Sequence, residues 1–329
     1  MAGLDFDDVL VVPQVSDVYS RDLVDISVNL PKGQHLSFPL FASPMVGVTD
    51  GQFVKRLSAL GGLGIIHRFY PSKEEQIADI KNNLTMGDKF GIAIKLGETN
   101  IEELIDLNPA ILLVDTANGY TSKLYNYCEH IANYILSHNH YCNLMAGNVA
   151  TEDGYIRLAN AGCNIIRVGI GGGSVCSTRN VTGVGIPNIT AILLCAEAKA
   201  SRGESAPKIA IDGGIRSSGD FVKAVVAGAD YGIAGKLFSQ CYESPNKGTL
   251  YGMAAVQNMK NLNIKIKSVE GFDIPIEKEY SLENFVSEFG YGIKSAGTYI
   301  GAKNLKEFSE KGMFIEVGDS SIKKNIYHW

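Results

Sequence analysis

Short apolar runs recur along this chain and alternate with longer stretches of helical periodicity. Each run has the length of a strand and is apolar on consecutive residues, as expected for strands buried on both faces. Eight runs can be counted, at residues 39–43, 63–67, 90–94, 111–115, 143–147, 165–168, 208–211 and 231–234. Helices are predicted between them at 51–60, 73–83, 101–107, 123–137, 152–161, 188–201 and 218–227. The alternation predicts an α/β fold, a (β/α)₈ TIM barrel, as a single catalytic domain over residues 1–329.

A doubly wound parallel sheet is the alternative fold, because its strands also alternate with helices. Its first strand-to-helix turn should carry the pattern GxGxxG, which the first turn of this chain lacks. Two regions lie outside the eight units. Roughly the first 35 residues are expected to form an N-terminal arm across the barrel. Residues 240–275, after the eighth strand, are expected to form a mobile active-site loop.

Composition excludes several classes of function. The net charge is −5 and the chain has no long basic run, so we expect no nucleic-acid partner. No apolar stretch reaches the length of a membrane span, so we expect no membrane partner. The six cysteines show no CxxC pair, which argues against a zinc site or a disulfide framework and favours a cytoplasmic protein with reduced thiols.

The segment VGIGGGSVCSTR, residues 168–179, places Cys176 in a turn of glycine and small polar residues. Glycine accepts positive φ and lets the backbone approach a ligand, so such a turn can direct N–H groups at an anion and carbonyls at a cation. It also tends to expose a thiol, which indicates a nucleophile. A structural turn whose small residue happens to be cysteine is the alternative, and the segment alone does not separate the two.

The predicted ends of the sixth, seventh and eighth strands are rich in glycine. In a barrel these ends lie on one face, where backbone N–H groups can converge on a phosphate. The natural donors are Ser174, Gly213, Gly214 and Gly235. Asp212 is placed to accept hydrogen bonds from ribose hydroxyls, although capping the next helix is the alternative role. Together these residues predict a nucleoside monophosphate as the ligand.

A cysteine nucleophile needs a lowered pKa or a nearby base. Thr178 lies two residues after Cys176, and Arg179 can favour the thiolate electrostatically. The candidate for proton transfer is Glu270, at the end of the long loop. An acidic loop residue is more often simply solvated, so this role is a hypothesis.

Five motifs carry a resemblance to a known family. GIGGGSVCSTRNVTGVG, DGGIRSSGD and AGAD, with FDDVLVVP near the start and MAGNVAT before the fifth helix, resemble the IMP dehydrogenase and GMP reductase family nearly end to end. The resemblance implies a (β/α)₈ barrel, a homotetramer and a purine nucleoside monophosphate whose C2 is attacked by Cys176. It also implies a monovalent cation such as K⁺ at Gly171, Gly173, Cys176 and Arg179. The substrate residues that it implies are Ser174, Asp212, Gly213, Gly214, Gly235, Lys236, Gly252, Met253, Lys267 and Gly271.

Within this family the chain is most similar to the reductases. Dehydrogenases usually carry a paired regulatory domain after the second strand, and too few residues separate His67 from Phe90 to hold it. Dehydrogenases also need an Arg-Tyr pair in a mobile flap, and residues 253–269 contain neither arginine nor tyrosine. The sequence DTANGY at 115–120 and the ending at 292–303 resemble the reductase versions.

The activity implied is reductive deamination of GMP to IMP and ammonia, with NADPH as cofactor and Cys176, Thr178 and Glu270 as catalytic residues. The cofactor residues implied are Asp115, Thr116 and Ala117 near the nicotinamide, with Arg68, Ser20, Arg21, Ser295 and Thr298 for the rest of the dinucleotide. A short IMP dehydrogenase using NAD is the second hypothesis. A purine-nucleotide binding protein without turnover is the third.

The chain departs from the family pattern at several positions. Val46 follows Met45 where the family has a polar residue, and Gly172 stands where proline is usual. Lys236 replaces a small or apolar residue beside the phosphate site, and Lys267 replaces an arginine with its planar fork. Gly297 stands where a reductase often has cysteine. The purine pocket is therefore expected to accept GMP or a deoxy or modified guanine nucleotide.

Overall fold

A computed structural model describes residues 3–252, 271 and 273–318. The strands of these residues are β1 (Val9–Val11), β2 (Val28–Asn29), β3 (His35–Leu36), β4 (Leu40–Ala42), β5 (Leu63–Ile66), β6 (Phe90–Ile94), β7 (Ile111–Asp115), β8 (Asn143–Val149), β9 (Ile165–Val168), β10 (Lys208–Asp212), β11 (Tyr231–Ala234), β12 (Thr249–Tyr251), β13 (Asp273–Pro275) and β14 (Phe314–Glu316). The helices are α1 (Gly51–Ala59), α2 (Lys73–Asn83), α3 (Glu102–Ile105), α4 (Ser122–Ser137), α5 (Glu152–Asn160), α6 (Thr178–Thr182), α7 (Asn188–Arg202), α8 (Ser218–Val226), α9 (Lys236–Ser239), α10 (Leu282–Ile300) and α11 (Leu305–Lys311).

Strands β4 to β11 form a closed barrel of eight parallel strands. The barrel closes where β11 pairs with β4, with Ile233 opposite Phe41. This closure confirms the predicted TIM barrel and excludes the doubly wound sheet, whose edges would stay open. The observed strand ends lie within two residues of the predicted ones, the largest change being the extension of β8 to Val149.

The apolar residues of the strands alternate between two cores. Along β7, Ile111 and Leu113 belong to the cluster inside the barrel, whereas Leu112 and Val114 pack under the helices. This two-sided burial explains why each strand is apolar on consecutive residues. The inner cluster also contains Leu30 and Leu36, so the β2–β3 hairpin of the N-terminal arm packs against the barrel interior.

Seven of the described helices begin at a polar side chain that accepts from an otherwise unpaired backbone N–H group. Ser217 caps α8 by accepting from Asp220 N at 3.2 Å. Capping is therefore not the role of Asp212, which ends the preceding strand.

Three regions add to the predicted arrangement. In the N-terminal arm, β1 pairs antiparallel with β14, and the two strands form a sheet separate from the barrel. Helix α10, which sequence periodicity did not predict, packs against α8 as the last long helix of the outer ring. In the segment 240–275, β12 pairs antiparallel with β13, while 253–270 lie outside the described residues. No helix of the described residues is long and apolar enough to span a bilayer.

Candidate active site

A cavity of about 500 Å³ opens at the carboxyl ends of the barrel strands. Most of its lining residues lie at the strand ends and in the turns where the sequence predicts functional residues. The lining includes Ser43, Met45, Arg68, Asp115, Thr116, Ala117, Gly171, Gly173, Ser174, Cys176, Thr178, Asp212, Gly213, Gly214, Gly235, Lys236 and Gly252. The structure therefore brings together the predicted nucleophile, the predicted phosphate donors and part of the predicted cofactor site.

The turn after β9 exposes the thiol of Cys176. Positive φ at Gly169 and Gly171 turns the chain back on itself, which glycine tolerates without strain. Cys176 is partly exposed and donates from Sγ to Thr178 Oγ1 at 3.2 Å. The other five cysteines are buried, and burial raises the pKa of Cys142 to about 12. Cys176 is thus the accessible thiol of the chain.

The Arg179 side chain links Ile170, at the start of this turn, to Ile186, which follows it. Its guanidinium donates to Ile170 O at 3.1 Å and to Ile186 O at 2.8 Å, and it pairs with Asp5 at 3.2 Å. The Arg179 side chain therefore shapes the loop, and the carbonyls of Gly171 and Gly173 remain the candidate ligands for a cation. One of these carbonyls, that of Gly173, also accepts from Cys176 N at 3.1 Å.

Two carboxylates and two guanidinium groups form one network along the cavity wall. Asp115 accepts from Arg68 Nε at 2.9 Å and from Arg167 Nη1 at 2.6 Å. Arg167 Nε lies 3.0 Å from Asp212 Oδ2, an ion pair that lacks the alignment of a hydrogen bond. Asn148 donates to the same oxygen of Asp212 at 2.7 Å. The network links the predicted cofactor side of the cavity to the predicted ribose side.

The network limits what Asp212 can offer a ribose. Its Oδ2 is already occupied by Asn148 and Arg167, so Oδ1 is the oxygen without a donor among the residues that the structure describes. A carboxylate oxygen has two lone pairs and can still accept two hydroxyl donors. The sequence did not reveal Asn148 or Arg167 as site residues. A charged residue inside the otherwise apolar run of β9 is the signal that could have found Arg167.

Opposite charges keep the network ionised despite burial. Burial opposes ionisation of Asp115, but the guanidinium groups of Arg167 and Arg68 outweigh it and lower the pKa of this carboxyl. Burial likewise opposes the charge on Arg167, and Asp212 and Asp115 outweigh it and raise its pKa. Asp115 and Arg167 are therefore both charged at neutral pH.

A second cavity, also of about 500 Å³, adjoins the first at the predicted phosphate end. The residues that line both cavities are Gly172, Ser174, Gly214, Ile215 and Lys236. Gly214 has φ +80°, and a Cβ there would overlap Asn188. A Cβ at Gly172 would also meet Asn188, at 2.5 Å from its Oδ1, so a larger residue there would require the Asn188 side chain to move.

The predicted cofactor residues fall into two groups. Arg68, Asp115, Thr116 and Ala117 line the cavity. Ser20, Arg21, Ser295 and Thr298 do not line it. They belong to the N-terminal arm and α10, which contact each other through the turn at Arg21–Leu23. Within one chain, this group lies outside the cavity that Cys176 lines.

The structure describes some of the remaining predicted residues and not others. Gly271 forms an isolated bridge with Cys176, which places it beside the predicted nucleophile. Met253, Lys267 and Glu270 lie outside the described residues. His67, which ends its predicted strand, stacks on Tyr70 at 4.5 Å, and burial lowers its pKa to about 4. His67 is therefore neutral at neutral pH, and it does not line the cavity.

Comparison of the sequence with known proteins identifies the family of this chain. A model of the IMP dehydrogenase / GMP reductase domain matches residues 3–328. The chain belongs to this family. Members of the family act on purine nucleoside monophosphates with a nicotinamide cofactor.

Named relatives come from both branches of the family. The chain is 31% identical to a GMP reductase of Onchocerca volvulus, over 95% of this chain and 91% of the relative. It is 31% identical to a GMP reductase of Buchnera aphidicola, over 95% and 94%. It is 28% identical to an inosine-5'-monophosphate dehydrogenase of Borreliella burgdorferi, over 99% and 96%. The comparisons thus support the family and not one branch.

Proposed function

We propose that this protein is a GMP reductase, which uses NADPH to convert GMP, or a deoxy or modified guanine nucleotide, to IMP or its counterpart and ammonia. The observation that carries the proposal is the position of Cys176. This accessible thiol lies in a glycine-rich turn, faces a cavity lined by Asp212 and the phosphate donors, and donates to Thr178.

The cavity suggests how a guanine nucleotide is held. Backbone groups at Ser174, Gly213, Gly214 and Gly235 bind the phosphate, and Oδ1 of Asp212 accepts from the ribose. Met45 and Gly252 line the same cavity and are proposed to contact the base, together with Met253, Lys267 and Gly271. With the phosphate, the ribose and the base all bound, C2 of the purine lies next to Cys176 Sγ.

In the first step the Cys176 thiolate forms a bond to C2 of GMP, and the bond from C2 to the exocyclic nitrogen breaks. Ammonia leaves after taking a proton, and a covalent thioimidate remains on Cys176. Thr178 holds the thiol, and we propose that Thr178 and Glu270 deliver the proton to the leaving nitrogen. In the second step C2 accepts a hydride, the bond from C2 to Sγ breaks, and the Cys176 thiolate is regenerated with IMP.

The residues that line the predicted cofactor side of the cavity fit a nicotinamide. Thr116 and Ala117 present small side chains to the cavity, and the Arg68 guanidinium lies over the Phe69 ring at 4.2 Å, which leaves a flat wall. When bound, NADPH supplies the hydride that C2 accepts. Asp115, Thr116, Ala117 and Arg68 would hold its nicotinamide half.

The choice of the reductase branch rests on sequence motifs. The absence of an Arg-Tyr pair in residues 253–269 removes the expected means of activating water, so hydrolysis of the thioimidate would be slow. The comparisons do not exclude the other branch, because the Borreliella burgdorferi dehydrogenase aligns with 99% of this chain over 96% of its own length. That match is the reason to keep a short NAD-dependent IMP dehydrogenase as the second candidate.

Three further features belong to the proposal. We propose a homotetramer, since one group of cofactor residues lies away from the cavity that holds the other. We propose a K⁺ ion at the carbonyls of Gly171, Gly173 and Cys176, in the loop fastened by Arg179. We propose a cytoplasmic location, which suits six free cysteines.

The test combines protein, NADPH and GMP or dGMP, and follows nicotinamide oxidation and ammonia together. Equal amounts of oxidised cofactor and ammonia are expected, and Cys176→Ala should abolish both. Reduction of NAD with IMP, without ammonia from GMP, would show the dehydrogenase instead. Stabilisation by GMP without any turnover would show a binding protein.

A further inference from the structure

The phosphate end of the proposed substrate site carries a side chain that the reaction does not use. Lys236 follows Gly235, begins α9 and lines both cavities. Its side chain is exposed, and its ammonium makes no hydrogen bond or ion pair with any residue in the described part of the chain. A lysine that is placed between two cavities and has no partner is available to a ligand.

The other charged groups around the second cavity already have partners. These are Asp5 with Arg179 at 3.2 Å, Asp7 with Arg216 at 2.7 Å, Asp220 with Arg216 at 2.9 Å, and Glu279 with Gln240 at 2.5 Å. Glu279 lines only the second cavity. Of the described residues that line both cavities, Lys236 is therefore the one that brings a free positive charge to their boundary.

We propose that Lys236 is a specificity-determining residue, whose ammonium binds the 5′-phosphate of the nucleotide. This inference rests on the proposed function. Ser174 and Gly214 lie on the same boundary and offer neutral donors. A phosphate monoester carries between one and a half and two negative charges at neutral pH. An ammonium adds a full charge to the neutral donors and so favours a monoester dianion over a nucleoside without phosphate.

The contribution of an exposed lysine can be recognised from its dependence on salt concentration. Lysine is a flexible point charge, unlike the planar fork of arginine, so its contact with phosphate is mainly electrostatic. Salt screens such a contact on the scale of the Debye length. Lys236→Ser is therefore expected to weaken GMP binding about tenfold at low ionic strength, and by less as salt rises.

The experiment measures binding directly by calorimetric titration of the full protein at low and high salt. The ligands are GMP, guanosine and inorganic phosphate, and the variants are Lys236→Ser and Lys236→Arg. Lys306→Ser is the matched control, since Lys306 is an exposed lysine near the start of α11 and lines neither cavity. Lys236→Ser should lose affinity for GMP and phosphate but keep its affinity for guanosine. Lys236→Arg should restore most of the GMP affinity, and Lys306→Ser should match the wild-type protein.

Three results would distinguish a failure of the inference about Lys236 from a failure of the proposed function. Equal GMP affinity of the wild-type protein and Lys236→Ser at low salt would overturn this inference and leave the proposed function standing. Equal loss of GMP and guanosine affinity in Lys236→Ser would also overturn it, because a loss independent of phosphate indicates a structural role. A wild-type protein that binds no GMP at all would overturn the proposed function itself.

Discussion

Arg167 is the residue on which the electrostatics of the cavity depend. It lies in β9 with its side chain 9% exposed, between Asp115 and Asp212. Sequence periodicity predicted its strand because three of the four residues of β9 are aliphatic. The partners of Arg167 are 52 residues before it and 45 residues after it, and pairings over such distances leave no local signal.

Replacing Arg167 with Met should destabilise the fold by about 3 to 5 kcal/mol, because two buried carboxylates lose their shared counterion. Chemical denaturation of both proteins at neutral pH measures the difference. Arg157→Met is the control, since Arg157 pairs with Asp153 on the exposed surface of α5 and its loss should change little.

The same variant should change the dependence of stability on pH. In the wild-type protein the Asp115 pKa is lowered, so its contribution to stability is present at neutral pH and is lost as pH falls through the folded pKa. Without Arg167, Arg68 alone opposes the effect of burial, so the Asp115 pKa rises in the variant, and the variant loses less stability than the wild-type protein as pH falls. The free-energy difference between the two proteins should therefore shrink toward about pH 4. A difference that stays constant with pH would show that Arg167 acts through packing alone.

Thr178 should act on the chemical step. Thr178→Val keeps the shape of the side chain but removes the oxygen that accepts from the Cys176 thiol at 3.2 Å. Ammonia release in a single turnover should slow roughly a hundredfold, while GMP binding changes little. Thr182→Val, on the same helix α6, is the control. A Thr178→Val protein with the wild-type rate would remove Thr178 from the mechanism.

At the scale of elements, the barrel strands are easier to predict from sequence than the last long helix, α10. Each barrel strand is buried on both faces, so its apolar run is visible without knowledge of its neighbours. Helix α10 contains Gly290, Gly292 and Gly297, each of which lowers intrinsic helix propensity. Its stability comes from packing against α8 and the N-terminal arm, contacts that arise only in the folded chain.

The close packing of α10 also explains a departure from the family pattern. A Cβ at Gly297 would lie 2.8 Å from both Ala302 O and Val24 Cγ1, so a cysteine cannot be placed there without movement of backbone. Glycine at this position is therefore a consequence of how the arm meets the helix.

Gly297→Ala should destabilise the protein by about 1 to 3 kcal/mol, although alanine favours helices, because overpacking outweighs the gain in propensity. Gly290→Ala in the same helix is the matched control. Its added Cβ would meet only the terminal methyl of Ile26, at 3.2 Å, which can move. Thermal unfolding of the two variants compares them directly, and equal melting temperatures would show that the contact at Gly297 carries no strain.

At the scale of the whole molecule, the division of the predicted cofactor residues supports the proposed homotetramer. Ser20, Arg21, Ser295 and Thr298 lie on the arm and α10, apart from the cavity that holds Asp115 to Ala117. The same arm exposes apolar side chains, with Val15 and Tyr19 almost fully exposed. Large exposed apolar side chains close together are typical of interaction surfaces. A second copy that covers this surface could bring its own Ser20 and Arg21 to the cavity of its neighbour.

Ile315→Lys should test this arrangement. Ile315 lies opposite Leu10 in the β1–β14 ribbon, and both side chains are exposed. A charge there should break the proposed homotetramer into smaller species, as measured by light scattering after size-exclusion chromatography. Cofactor binding should weaken with it, whereas stabilisation by GMP should persist, because the nucleotide residues belong to one chain. Leu136→Lys, on the exposed face of α4, should leave both unchanged. A wild-type monomer that binds NADPH normally would show that one chain holds the whole cofactor.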